Sequence, residues 1–129
     1  MGYSLKDRII LITGASAGIG EATARAFAEA GGKLILTARR KEKLEKLAAE
    51  LKEKFGTISH TASLDVRDHN AVENFVRGLP EMWAAIDILV NNAGLGRGLD
   101  KLHEGKITDW EEMIDTNVKG LLYVSRAVI

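Results

Sequence analysis

Cysteine is absent from the 129 residues. That excludes disulfides, thiolate metal sites and a thiol nucleophile, and it fits a reducing cytoplasm. An excess of either charge is absent too, since 18 lysines and arginines are matched by 18 acids. A neutral chain sets up no overall field to recruit nucleic acid or anionic lipid, so neither is expected as a partner. No apolar run is long enough to span a membrane, and the opening MGYSLKDRIILITG lacks a signal-peptide layout. A soluble, cytoplasmic protein is the expectation. Repeats, low-complexity tracts and Pro/Ser-rich linkers are missing, Pro80 is the only proline, no metal site is expected, and His60, His69 and His103 are too scattered to suggest an acid–base role. This length predicts one domain over residues 1–129.

What the chain does have is alternation. Short apolar runs take turns with longer segments of helical period, the pattern of βαβ units and a parallel sheet covered on both faces. Strands are predicted at Arg8–Thr13, Lys33–Thr37, Ile58–Leu64 and Ile86–Asn91. Between the first two, Ile19, Ala22, Thr23, Ala26, Phe27 and Ala30 repeat at three and four residues. The second helix is predicted to bury Leu44, Leu47, Ala48, Leu51 and Phe55 beneath a solvated face of lysines and glutamates. The third presents Val72, Phe75, Val76 and Leu79. In the fourth, Thr108 and Glu111 of TDWE read as a capping box, and Met113, Ile114, Val118 and Leu121 as the buried stripe.

The stretch LITGASAGIGEA carries the first chemical signal. Gly14, Gly18 and Gly20 fall where a buried strand turns into a helix, a place of unpaired amides and positive helix dipole that suits an anion. The spacing G-x-x-x-G-x-G differs from the common dinucleotide fingerprint and lacks the lysine of a P-loop, so a triphosphate hydrolase is not expected. The second signal is at the end of strand two, where an NAD site carries an acid for the ribose hydroxyls. Here the residues are Thr37-Ala38-Arg39-Arg40. Two guanidinium groups suit a 2′-phosphate, which favours NADP over NAD. The plainer reading pairs Arg40 with nearby Glu42 or Glu45.

TGASAGIG, SLDV, NNAG and DTNVKG, in this order, resemble the N-terminal half of the classical short-chain dehydrogenases/reductases. LILTARRKEKLE and IDILVNNAG resemble its NADP-dependent serine and 3-hydroxy acid dehydrogenases. The resemblance implies an α/β, Rossmann-like three-layer sandwich with a parallel sheet of order 3-2-1-4, ending after the fourth helix. It implies that Gly14, Ser16, Gly18, Ile19 and Gly20 surround the pyrophosphate and adenosine ribose, while Arg39 and Arg40 hold the 2′-phosphate. Asp65 and Val66 would meet the adenine, and Asn91, Asn92, Ala93 and Gly94 the nicotinamide ribose. Asn117, expected as a buried amide on the fourth helix, matches the asparagine that in the family supports the proton relay to the active-site lysine.

The family's catalytic serine and Tyr-x-x-x-Lys pair have no counterpart in these residues, since Tyr3 is followed four positions later by Asp7 and Tyr123 by Ala127. Loss of an acid–base group removes a factor of roughly 10²–10⁴, so the chain alone is expected to be inactive. Strand four is expected to form an exposed apolar edge that favours a homo-oligomer. The resulting expectation is the NADP(H)-binding portion of an oxidoreductase acting on a small hydroxy or carbonyl substrate. A stand-alone nucleotide-binding module and a self-associating structural unit are the alternatives. Arg97 and Lys101, in the loop Leu95–Ile107, are candidate anchors at a substrate mouth.

Overall fold

The computed structural model describes residues 4–94 and 102–129. Four parallel strands lie in the order β3-β2-β1-β4: β1 is Ile9–Thr13, β2 Lys33–Ala38, β3 Ser59–Ser63 and β4 Ile88–Val90. Alternate side chains on a strand point to opposite faces, and this alternation creates two cores. Ile10, Ile12, Leu34 and Leu36 pack with Ala24 and Ala28 of α1 (Gly18–Glu29) and with Leu44, Leu47 and Leu51 of α2 (Lys41–Phe55). Leu11 and Ile35 point the other way, to Val72 of α3 (His69–Arg77) and Val124 of α6 (Leu121–Val128). Each fully buried aliphatic side chain stabilises the sandwich by about 1.5–3 kcal/mol. The predicted α/β three-layer architecture and strand order are those observed.

The differences lie at element ends and on helix faces. On α1 the buried stripe is Gly20, Ala24 and Ala28, and Ile19 is 78% exposed; small residues let the helix lie close to its strand. A short helix α4 (Glu81–Ala84) follows Pro80 and buries Trp83. The strand β4 has only three residues, because Asn92 turns its amide to Val90 and Thr13 instead of continuing the ladder. The helix α5 (Ile107–Ile114) starts with Lys106 as N-cap and no side-chain cap bond. Thr108 and Glu111 therefore form no capping box. The early start accompanies the packing of the Trp110 indole over Gly105, where a Cβ would fall 2.6 Å from the ring.

Between α5 and α6, residues Asp115–Gly120 form a π-helical turn. In an ideal α-helix, residues four apart drift by about 40° around the axis. The wider π turn cancels that drift and keeps Thr116, Gly120 and Val124 on one buried line. Gly120 sits so close to the segment after β3 that a Cβ would fall 2.5 Å from a Val66 methyl. The expected stripe of Ile114, Val118 and Leu121 instead faces outward, at 53%, 53% and 41% exposure. Its periodicity is real, but it marks a face with no partner among the described residues.

His60 of β3 is paired in register with Ile35 and lies 5.9 Å, ring to ring, from Trp83. Burial, and secondarily the charge of Lys41, lowers its pKa from the ordinary 6.5. The unfolded chain therefore takes up this proton first. Stability contributed by neutral His60 is complete above pH 6.5 and declines as the pH falls through and below that value. Denaturant titrations between pH 8 and pH 5 should show this decline, and His60→Gln should flatten it.

Candidate functional site

The C-terminal ends of β1, β2 and β4 open onto one cleft of about 760 Å³, a volume typical of cofactor sites. Thr13, the last residue of β1, organises its floor. Its hydroxyl accepts hydrogen bonds from the amides of Asn92 (3.0 Å) and Ala93 (2.9 Å) and donates to the Val90 carbonyl (3.4 Å). The Asn92 side chain then donates to the Gly14 carbonyl at 3.1 Å, locking the glycine turn to the segment after β4. On the other side the Ala15 amide donates to the Thr37 carbonyl. The turn is thus held by both neighbouring strands.

Two glycines are required by contact as well as conformation. Gly14 has φ 63°, and a Cβ there would fall 2.9 Å from the Ala93 backbone. A Cβ on Gly20 would overlap the Gly14 carbonyl and the Asn92 amide group. The close approach of α1 to this turn leaves a cradle into which an anion can press against backbone.

Of the sequence-predicted residues, Gly14, Ser16, Ile19, Arg39, Arg40, Asp65, Val66, Ala93 and Gly94 line the cleft together with Asn92. Gly18 and Gly20 lie at the start of α1 behind the lining. Asn91 points away, its amide donating to Ser125 Oγ at 3.0 Å and fastening α6 to the sheet. Asn117 is exposed on the π turn, which corrects its expected burial. It stands beside Gly94, where a Cβ would fall 2.9 Å from its Oδ1. Of the loop Leu95–Ile107, residues 95–101, with Arg97 and Lys101, lie outside those described.

Sequence reasoning missed Thr13, Lys43 and Arg67. The first two sit inside quoted motifs, but a threonine ending a strand gives no hint of the amides it will meet, and a lysine in a charged helix reads as solvated surface. Arg67 lines the cleft and grips Asp65, with Nε 3.0 Å from Oδ1 and Nη2 2.7 Å from Oδ2. Its side-chain hydrogen bonds hold the Asp65 carboxyl below its ordinary value against the opposing effect of burial, with smaller help from the Arg67 amide and from Arg39. The Arg67 Nη1 also reaches Glu112 of α5 at 3.6 Å. The wall formed by Asp65 and Val66 is therefore anchored to α5.

The short chain dehydrogenase family matches residues 8–129. The chain belongs to the short-chain dehydrogenases/reductases. Among members of that family, the NADP-dependent 3-hydroxy acid dehydrogenase of Salmonella typhi is 52% identical over 121 residues, which are 94% of this chain and 47% of that protein. The closed form of a serine dehydrogenase complexed with NADP⁺ superposes with a TM-score of 0.85 at 50% identity, covering 94% of this chain and 47% of that one. An alcohol dehydrogenase from the archaeon Thermococcus sibiricus, complexed with 5-hydroxy-NADP, gives 0.90 at 39% identity, covering 95% and 52%. The chain thus spans about half the length of these short-chain dehydrogenase relatives.

Thr13→Val keeps the shape of the side chain but leaves the amide of Ala93 without its acceptor. The expected loss is about 1–3 kcal/mol in denaturant unfolding, with Thr13→Ser retaining most of the stability.

Proposed function

We propose that the chain is the NADP(H)-binding portion of a cytoplasmic short-chain oxidoreductase that interconverts a hydroxyl and a carbonyl group on a small substrate. The carrying observation is the composition of the cleft where β2 ends. Arg39 and Arg40 line it, no acid stands at that strand end, and neither arginine enters an ion pair among the described residues. Such a corner suits the 2′-phosphate of NADP and offers no acceptor for the free ribose hydroxyls of NAD. The glycine cradle between β1 and α1 suits the pyrophosphate, and Val66 and Ala93 supply apolar walls for the rings. NADP(H), when bound, supplies or accepts the hydride. The residues described here bind and orient it: the glycine turn through backbone amides, Arg39 and Arg40 through charge, Asn92 by holding the turn closed. Asn117, beside Gly94, is placed in this reading as a positioning residue for proton delivery.

Calorimetric titration of the 129-residue chain should give saturable NADP⁺ binding and weaker NAD⁺ binding. Arg39→Asp should reverse that preference, and equal affinities in both proteins would defeat the reading. The chain alone is expected to bind without turning substrate over.

A second reading, self-association, draws on a different observation. Ile107, Ile114, Val118, Leu121 and Leu122 expose an apolar face along α5, the π turn and α6. A second copy packed face to face would bury it. Sedimentation should then find a dimer, with Val118→Lys shifting it to monomer; a monomer at every concentration would defeat this reading.

A further inference from the structure

Lys43 occupies an unfavourable place for a lysine. It lies in the first turn of α2, where the helix dipole is positive and a cation is disfavoured. Helical spacing makes this worse. Its neighbours three and four residues away are Arg39, Arg40, Lys46 and Leu47, so no acid can reach it along the helix, whereas like charges can. Several other cations of the region are matched: Lys41 with Glu45, Arg25 with Glu21 and Glu50, Arg67 with Asp65 and Glu112. Lys43 enters no ion pair among the described residues, and it lines the cleft with Arg39 and Arg40.

We infer that Lys43 is a specificity-determining residue of the nucleotide site, the third cation of a triad with Arg39 and Arg40 that takes a phosphate monoester on the adenosine ribose. The inference rests on the NADP reading and adds a residue to it. Three like charges at one helix start repel one another in the free protein, and a dianion placed among them removes the repulsion and satisfies the dipole. Lys43 therefore destabilises the free chain and stabilises the complex, a sign pattern that ordinary surface lysines lack.

The test uses that opposition of signs. In Lys43→Ala, the melting temperature of the nucleotide-free chain should rise by about 1–4 °C. The Kd for NADP⁺, read by calorimetry, should weaken about tenfold, and the Kd for NAD⁺ should stay unchanged. Lys43→Arg should keep the wild-type NADP⁺ affinity, guarding against a simple folding defect. Lys41→Ala removes the same charge from the same turn outside the cleft and should leave NADP⁺ affinity intact. If wild type prefers NADP⁺ but Lys43→Ala binds it equally well, or loses NAD⁺ affinity in parallel, the inference fails while the NADP reading stands. If wild type shows no preference for NADP⁺, both fall.

Discussion

Everything at the cleft depends on one hydroxyl. Thr13 ends β1 almost fully buried, and its oxygen gathers the two amides that follow β4 while its proton goes to the Val90 carbonyl. Without that hub, the Asn92 side chain would not be held against Gly14, and the turn between β1 and α1 would be tied on one side only. Buried backbone groups that must be satisfied convert the end of a strand ladder into a rigid junction. The cradle therefore exists before any ligand arrives, and preorganisation lowers the ordering cost of binding.

Charge is arranged around that junction in two styles. On one wall Arg67 and Asp65 neutralise each other at 2.7 Å and reach on to Glu112 of α5. On the other, Arg39, Arg40 and Lys43 enter no ion pair among the described residues. Surface ion pairs contribute little stability on average, so the paired wall matters mainly for geometry: it fixes where Asp65 and Val66 stand relative to the helix across the cleft. The unpaired wall is left with its electrostatic demand open.

Much of this was legible in the chain. The runs IILI and ILV, and the leucines of α2, follow directly from burial on a two-sided sheet, and the strand order follows from the alternation of elements. The glycine turn, Arg39 and Arg40, Asp65 and Val66 were found by motif and lie together in space. What escaped were features that depend on tertiary contact. The helix around residues 107–128 was misread on the side it buries, because Ile114, Val118 and Leu121 repeat at helical spacing while the face against the sheet is made of small or short residues. Hydrophobic periodicity finds the greasiest face, and at Gly120 close approach to Val66 counted for more than grease. Thr108 failed as a cap because the helix begins before it, at Ile107 with Lys106 as N-cap. Asn91, placed by motif beside its neighbours, turned out to hold α6 through Ser125.

The π turn at Asp115–Gly120 has a meaning beyond alignment. Such a turn is one residue more than a regular helix of the same span requires. The helix thus holds a reserve of chain length, located where it passes the cleft and beside Gly94. Loss of a single residue there would let the segment close into regular α-helix of the same span, leaving the four strands in register, the glycine cradle intact and α6 with the face it now turns to the sheet. Val124 would stay in the core and the lock between Asn91 and Ser125 would hold. Seen this way, six residues of helix store one spare residue while leaving unchanged the face of α6 that the sheet receives.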